Sequence, residues 1–417
     1  MDDAMRITAP ANLPSLVRTA FSRAAASGDL TYYQTQVALL TSSPTSAPFQ
    51  LRFSPALASK PKNNNSNSDK GKDGSLDKPK KKPFNPFANP DPALLITVLP
   101  PPASHTLVLN KFAIVPEHFI LITNAFKPQT HLLEADDLEA AYACVRAYHE
   151  DAVAAASTTA ADTPAHESGG NRPGGSELFV FFNSGPHSGA SQPHRHLQLL
   201  PIESMRVGLD DATGAPSGTQ VRQKEWTPLI NTLVHEPQQQ DHYNHQPSDR
   251  QLGGAKPPFE VFSTPISAEM SASDRHAAYV ALYHNACAAM GEYNRTRPGL
   301  AVESAAPAEG SGTGEARISY NLAMTNSVMA LCPRLAEGSA IYGEAQGEGR
   351  GGASGIVGKV ELNGTVLAGT ALVKNEAEWD ALRKNPEHLF KVLRRIGIPS
   401  QESGSGHSTS FSHEAAL

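Results

Sequence analysis

The side chains best suited to chemistry lie in one segment, residues 183–201, which reads Asn-Ser-Gly-Pro-His-Ser-Gly-Ala-Ser-Gln-Pro-His-Arg-His-Leu-Gln-Leu-Leu-Pro. An apolar run precedes the segment and another ends it, which indicates two strands joined by a loop. Alternate side chains of a strand point to one face, so His194, His196 and Gln198 project together while Arg195 points the other way. Two imidazoles and an amide form a poor hydrophobic surface, and we expect this face to handle phosphate.

A face with paired histidines has three interpretations. A neutral imidazole, with an unperturbed pKa of ~6.5, can attack phosphorus near neutral pH without a separate strong base. The second histidine and the glutamine can then orient that ring and hold the non-bridging oxygens. Two histidines at this spacing can also bind a metal, although no third ligand is evident, or form the satisfied polar face of an edge strand. Nucleophilic catalysis on a phosphate or phosphoanhydride accounts best for the pattern.

The loop before the histidines contains Gly185, Ser188, Gly189, Ser191 and Gln192. Glycine lets the backbone approach a phosphate closely, and successive amides and hydroxyls can surround its oxygens. A Gly/Ser turn between strands is more often only a turn. Its position beside the histidine pair favours a phosphate-binding loop.

The elements that must position this segment are predicted by apolar periodicity in both halves of the chain. In the first half we predict strands at 106–110, 113–115, 119–123, 178–182 and 195–200, and a helix from about residue 137. In the second half we predict strands at 259–262, 317–324, 328–333 and 366–374, and helices at 274–294 and 376–396. The repeated strand-and-helix style indicates an internal duplication or two related α+β lobes.

Polar, low-complexity insertions separate these elements. Residues 60–82 contain eight lysines among Asn, Ser, Asp and Gly and cannot bury enough apolar surface to become ordered. This stretch is interpreted as a solvated loop, with a nuclear-import or polyanion-binding patch at 78–82 left open. Further insertions are predicted at 153–175, 208–222, 236–257, 303–315 and 337–356, and a disordered tail after residue 399.

Composition excludes several classes of function. The formal net charge is −6, so no overall positive field favours nucleic acid or an anionic membrane. Cys144, Cys287 and Cys332 are odd in number and far apart, so neither a disulfide framework nor a CxxC zinc site is expected. The acidic start and the lack of an apolar run of ~20 residues predict neither a secretory leader nor a membrane span. We expect a cytoplasmic protein, with additional nuclear localisation left open.

The segment from His194 to Gln198 resembles the His-x-His-x-Gln signature of nucleotidyltransferases in the histidine-triad superfamily. More narrowly, the chain is similar to the fungal ATP adenylyltransferases, also called diadenosine tetraphosphate phosphorylases. The blocks that carry the resemblance are residues 51–60, 109–119, 183–198 and 368–374, and their order and approximate spacing agree from about residue 30 to 399.

The resemblance implies an α+β fold of histidine-triad-like, or hexose-1-phosphate uridylyltransferase-like, antiparallel sheets with flanking helices in two related lobes. We expect an N-terminal catalytic lobe at 1–205, with the lysine-rich insertion inside it, and a linker at 206–257. The C-terminal ATP adenylyltransferase lobe would then span 258–399, followed by a tail at 400–417.

The resemblance also implies a ping-pong reaction. His196 would attack an α-phosphate of diadenosine tetraphosphate (Ap4A), release ATP and carry AMP as a phosphoramidate, and inorganic phosphate would then accept the AMP to give ADP. His194 and Gln198 would complete the catalytic group, with Gln198 on the transferred phosphate. The substrate-binding residues implied are Lys60, Asn110, Lys111, Asn183, Gly189, Ala190, Ser191, Gln192, Gln198, Asn363, Gly364, Thr365, Thr370 and Lys374.

The expected partners are therefore nucleotides (Ap4A, ATP and ADP) and phosphate, without nucleic acid or membrane, and the sequence leaves monomer and homo-oligomer open. No covalent cofactor and no protein-bound metal is expected, whereas Mg²⁺ can arrive with the polyphosphate. The alternatives are a histidine-triad hydrolase that gives AMP and ATP, and a non-catalytic nucleotide-binding protein. A hexose-1-phosphate uridylyltransferase shares the motif, but its usual cysteine-based metal site is missing here.

Overall fold

The computed structural model describes residues 6–42, 47–59, 84–161, 177–209, 226–233, 257–297, 299, 313–342 and 355–400. The lysine-rich insertion, most of the predicted linker and the C-terminal tail lie outside these residues. No helix in the described part of the chain is long and apolar enough to cross a bilayer.

An eight-stranded sheet forms the centre of the protein, and every neighbouring pair of its strands is antiparallel. In sheet order the strands are β10 (Phe262–Pro265), β12 (Val328–Pro333), β11 (Tyr320–Met324), β8 (Leu178–Ser184), β9 (His196–Pro201), β7 (Phe119–Thr123), β5 (His105–Leu109) and β4 (Leu95–Val98). Strands of both halves of the sequence meet where β8 pairs with β11. The predicted lobes therefore share one continuous sheet.

Three smaller sheets flank this one. Their strands are β1 (Thr31–Tyr32) with β6 (Phe112–Ala113), β2 (Gln36–Leu40) with β3 (Phe49–Phe53) and β15 (Thr370–Val373), and β13 (Gly338–Tyr342) with β14 (Ile356–Glu361). Among the described residues the α-helices are α1 (Leu13–Ser27), α2 (Ala135–Ala161), α3 (Ile202–Arg206), α4 (Ala272–Thr296), α5 (Glu376–Lys384) and α6 (Glu387–Ile396).

Both faces of the large sheet are covered. One face packs against α1, α2 and α4. The other face packs against the β2–β3–β15 sheet together with α5 and α6, except over β5 and β7, where it packs against Phe87. Strands β5, β7 and β8 are consequently buried along their whole length. Burial on both faces explains why these strands appear in the sequence as continuous apolar runs rather than alternating ones. The expected α+β fold with antiparallel sheets and flanking helices is confirmed.

Two predicted elements near the C-terminus are wrong. The strand expected at 366–374 begins as a 3-10 helix, Gly364–Ala368, which Asn363 caps by accepting a hydrogen bond from the Thr365 amide. Gly369 then adopts a φ of 72° and turns the chain into β15. The helix expected at 376–396 is two helices, because Pro386 lacks an N–H and disfavours helical geometry in the residue before it.

Other boundaries also differ from prediction. Helix α2 continues to Ala161, where an insertion was expected from 153, because its alanine-rich end favours helix. The insertion expected at 337–356 contains β13, whose residues pair with β14. The strand expected at 259–262 lies at 262–265, where β12 supplies its hydrogen-bonding partner.

Candidate functional site

His196 is the first residue of β9, and the structure holds both the ring and the backbone of this residue. Its Nδ1 lies 2.8 Å from the carbonyl oxygen of His194. A carbonyl can only accept, so Nδ1 carries the hydrogen and Nε2 keeps a free lone pair. Gln129 fixes the backbone: its Oε1 accepts from the His196 amide at 2.8 Å, and its Nε2 donates to the carbonyls of Asn183 and His196.

The His196 ring is deeply buried. The residue is 3% exposed, and the Phe87 ring lies 5.0 Å from the imidazole, centroid to centroid. Burial lowers the pKa of His196 to about 4; the hydrogen bond to the His194 carbonyl opposes this shift only in part. At neutral pH the imidazole is therefore uncharged, as nucleophilic attack requires.

The predicted alternation of faces along residues 194–198 is present. Arg195 points away from His196 and donates to Asp137 Oδ2 at 2.7 Å and to Glu134 Oε1 at 2.9 Å. Asp137 in turn lies 3.0 Å from His105. Burial opposes ionisation of Asp137, but the hydrogen bond from His105 and the charge of Arg195 outweigh it and lower its pKa. This network attaches the start of β9 to α2.

The loop after β8 reaches the start of the C-terminal 3-10 helix. Gly189 has a φ of 78°, and a Cβ there would lie 2.8 Å from the Cβ of Asn363. Only glycine therefore suits this position. Ala190 and Ser191 are exposed, and Gly189 and Gln192 are half-buried. The structure thus presents the predicted phosphate loop to solvent beside the histidine strand.

Asn183 and Gly364 are joined directly. The Asn183 side-chain oxygen accepts from the Gly364 amide and from the Asn321 side chain, each at 2.9 Å. A Cβ on Gly364 would lie 2.7 Å from the Phe181 ring, so the two halves can approach this closely only through glycine. Asn183 thereby connects the two halves of the chain. Its contact with the nucleotide stays a prediction.

Asn321 is held by Arg334, the residue that follows β12. Arg334 is fully buried and donates to Asn321 Oδ1 and to the carbonyls of Ala336, Glu337, Leu362 and Ile396. Asn321 also donates to the Ser188 carbonyl at 2.9 Å. Arg334 therefore supports the predicted phosphate loop through Asn321.

A cavity of about 440 Å³ opens beside this loop, within the roughly 300–1,000 Å³ of small-molecule sites. Apolar side chains form much of its wall, with Leu57, Ile114, Phe181 and Leu200 among them, which suits a nucleobase. His196 does not line the cavity itself but lies two residues before Gln198 on the same strand face. The predicted site residues that line it are Asn110, Gly189, Ser191, Gln198, Asn363, Thr365, Thr370 and Lys374.

The polar residues that line the cavity differ in their hydrogen-bond and ion-pair partners. Thr370 is buried, and its hydroxyl has no hydrogen-bond partner among the described residues. Lys374 is exposed, and its Nζ lies 3.3 Å from Glu361 Oε2 at the rim. Asn110 Nδ2 lies 3.2 Å from His118 Nδ1. Two predicted lysines do not join them: Lys111 is exposed outside the lining, and Lys60 lies outside the described residues.

Sequence reasoning missed Asn85, Phe87 and Gln129. Asn85 and Phe87 contact His194 and His196, and Gln129 bonds the backbone of His196. All three precede the motif by more than 60 residues, and no spacing rule connects them to it. The Asn-Pro-Phe sequence at 85–87, just after the lysine-rich stretch, could have indicated that the chain becomes ordered again there.

Two family models match the chain. The Ap4A phosphorylase N-terminal domain matches residues 3–167 and 175–210, and the ATP adenylyltransferase C-terminal domain matches residues 255–399.

Relatives and solved structures agree with these matches. A Saccharomyces cerevisiae diadenosine 5',5'''-P1,P4-tetraphosphate phosphorylase 2 is 25% identical over 93% of this chain and 95% of its own. Protein APA1 of the same yeast is 24% identical over 94% and 96%. The crystal structure of yeast Ap4A phosphorylase Apa2 matches with a TM-score of 0.59 at 23% identity, over 96% of this chain and 98% of that one. This last likeness confirms the fold.

Proposed function

The chain is an enzyme that belongs to the ATP adenylyltransferase family of Ap4A phosphorylases, and we propose that it cleaves Ap4A with inorganic phosphate to give ADP and ATP. A yeast relative carries the name of this activity, and yeast Apa2 has been solved in complex with AMP and with Ap4A. The observation that carries the proposal is the His196 imidazole, whose Nδ1–H is bound to the His194 carbonyl.

The reaction has two displacements at one phosphorus. In the first, Nε2 of His196 attacks an α-phosphorus of Ap4A, the bond to the bridging oxygen breaks, and ATP leaves with that oxygen. In the second, an oxygen of inorganic phosphate attacks the adenylyl phosphorus, the P–N bond breaks, and ADP leaves. His196 returns to its neutral form, so no oxidant, reductant or further co-reactant is needed. A covalent intermediate divides one hard displacement into two easier ones.

The described side chains have distinct tasks in this scheme. The apolar wall of the cavity would hold the adenine, and the amides of the 189–192 loop would hold phosphate oxygens. Gln198 would contact the transferred group, and the buried Thr370 hydroxyl is available to the nucleoside. Mg²⁺ would enter with the polyphosphate, whose charged oxygens suit this hard cation.

Product analysis tests this function. Purified protein is incubated with Ap4A, with and without inorganic phosphate, and the nucleotides are separated by chromatography. With phosphate we expect ADP and ATP in equal amounts over many turnovers, whereas without phosphate ATP should stop at one equivalent per enzyme and no ADP should form. AMP and ATP formed without phosphate would assign the protein to the hydrolases, and no turnover in either reaction would favour a nucleotide-binding role.

The pH dependence of the first displacement follows from the buried histidine. Protonation removes the lone pair of Nε2, and an ordinary histidine would be half protonated at ~6.5. Because burial lowers the pKa of His196 to about 4, we expect the adenylylation rate to stay level as the pH falls from about 8 to about 5. Quenched-flow measurement of ATP release in a single turnover, without phosphate, checks this. A rate that halves near pH 6.5 would contradict it.

A further inference from the structure

A short segment that neither the motif nor the cavity includes, residues 84–87, packs on the histidine pair. Asn85 Nδ2 lies 3.0 Å from His194 Nδ1. Phe87 lies edge-on to His194, with 6.0 Å between the ring centroids, and tilted over His196 at 5.0 Å. The segment thus contacts both histidines of the motif from outside β9.

A hydrogen bond to its side-chain oxygen fixes the orientation of the Asn85 amide group. Asn85 Oδ1 accepts a hydrogen bond from the Phe87 amide at 3.0 Å. The atom that faces His194 is therefore the amide nitrogen, which can only donate. His194 Nδ1 must accept this bond, and so it carries no hydrogen.

The hydrogen bonds on the opposite side of the His194 ring indicate the same tautomer. His194 Nε2 lies 2.8 Å from the Thr123 carbonyl and 3.1 Å from the Thr123 hydroxyl. The hydroxyl donates to the Ala125 carbonyl, so both Thr123 atoms accept from His194. Nε2 carries the hydrogen, and His194 is a neutral ring held at both nitrogens.

The position of the His194 ring affects the His196 imidazole through the His194 backbone carbonyl. The carbonyl of His194 accepts the Nδ1–H of His196 and so determines which His196 nitrogen is free. A His194 ring held at both ends keeps that carbonyl in place. The set of contacts is a chain from Asn85 through His194 to His196.

We propose that Asn85 is a positioning residue for the adenylyl-transfer step, holding His194 neutral and fixed so that the His194 carbonyl keeps Nε2 of His196 free to attack. This inference rests on the proposed function for its kinetic consequence only. Phe87 assists by covering the His196 ring.

The test compares Asn85→Asp, which has the same shape but only accepts at that position, with the wild type. A carboxylate beside His194 Nδ1 draws a second proton onto the ring. In ¹⁵N spectra of histidine-labelled protein at neutral pH, we expect one protonated and one unprotonated His194 nitrogen in the wild type and two protonated nitrogens in the variant. The His194 signals are assigned by their loss in His194→Gln.

The kinetic result should separate positioning from binding. Loss of a contact that orients a reacting side chain costs about 10–100-fold, by analogy with the partners of metal ligands. We expect kcat for Ap4A to fall by this factor in Asn85→Asp, with KM little changed because Asn85 does not line the cavity. Asp91→Ala, which removes a side-chain cap from the neighbouring 3-10 helix Pro92–Leu94, is the matched control and should keep kcat.

Each outcome is decisive. If Asn85→Asp keeps both the wild-type kcat and a neutral His194, Asn85 has no positioning role. If Asn85→Asp lowers kcat but leaves the His194 nitrogens as in the wild type, the proposed route through His194 is overturned. A wild type without turnover would contradict the proposed function, while the ¹⁵N signals would still decide whether Asn85 sets the protonation of His194.

Discussion

Replacing His196 with alanine should abolish turnover of Ap4A. Removing the nucleophile of a covalent mechanism costs on the order of 10⁴–10⁶-fold in kcat, because neither displacement can begin. His284→Ala, an exposed change on α4, serves as the control and should keep full activity. Initial rates of ATP release measure both variants.

The same variant should remain folded but become less stable. The sequence analysis placed this histidine on a polar strand face, whereas the structure buries it at 3% exposure. Truncation leaves a cavity beside Phe87, and we expect a loss of about 1–3 kcal/mol in the free energy of unfolding. Urea unfolding followed by circular dichroism measures this loss. A folded His196→Ala protein with wild-type turnover would contradict the mechanism.

Replacing Arg334 with methionine should cause the largest loss of stability. Burial lowers the pKa of Arg334 to about 10, yet the group stays charged at neutral pH and is satisfied by five oxygen acceptors. Methionine removes the arginine donor from all five acceptors; the carbonyls of Glu337 and Ile396 keep a backbone N–H, whereas Asn321 Oδ1 loses its donor. We expect a loss of about 3–5 kcal/mol in the free energy of unfolding. We also expect KM for Ap4A to rise, because Asn321 loses the contact that holds it against Asn183 and Ser188.

The control for Arg334 is Arg295→Met on α4. Arg295 is exposed and pairs with Glu292 at 2.6 Å, and an exposed pair contributes about 0–1 kcal/mol. Both variants are compared by urea unfolding and by Ap4A kinetics. Equal small effects would mean that Arg334 does not support the nucleotide site.

Local patterns in the sequence predicted the central sheet well. Strands β7 and β12 have their predicted bounds because each is an apolar run that ends at polar or proline residues. Alternation at 194–198 correctly placed Arg195 opposite His196. The strand predicted at 366–368 is wrong because a buried 3-10 helix and a buried strand contain the same kinds of apolar residues. The proposed lobe boundaries at 205 and 258 stay a prediction.

The partners of the histidines could not be predicted. Gln129 replaces strand pairing where β8 and β9 separate, and it bonds the backbone of both Asn183 and His196. Asn85 closely follows the lysine-rich stretch, more than 100 residues before the motif. Such contacts depend on the folded chain, since no periodicity or spacing relates one residue to another across 60 or more positions. The sequence therefore predicts the reacting group, and the tertiary structure shows which side chains contact it.

The most direct test of the central claim is mass spectrometry of the protein after incubation with Ap4A without phosphate. We predict a mass increase of one adenylyl group, located by peptide fragmentation on His196, and its loss with formation of ADP when phosphate is added. The His196→Ala protein should show no increase. An adduct on another residue, or turnover of Ap4A without any adduct that phosphate can discharge, would contradict the account.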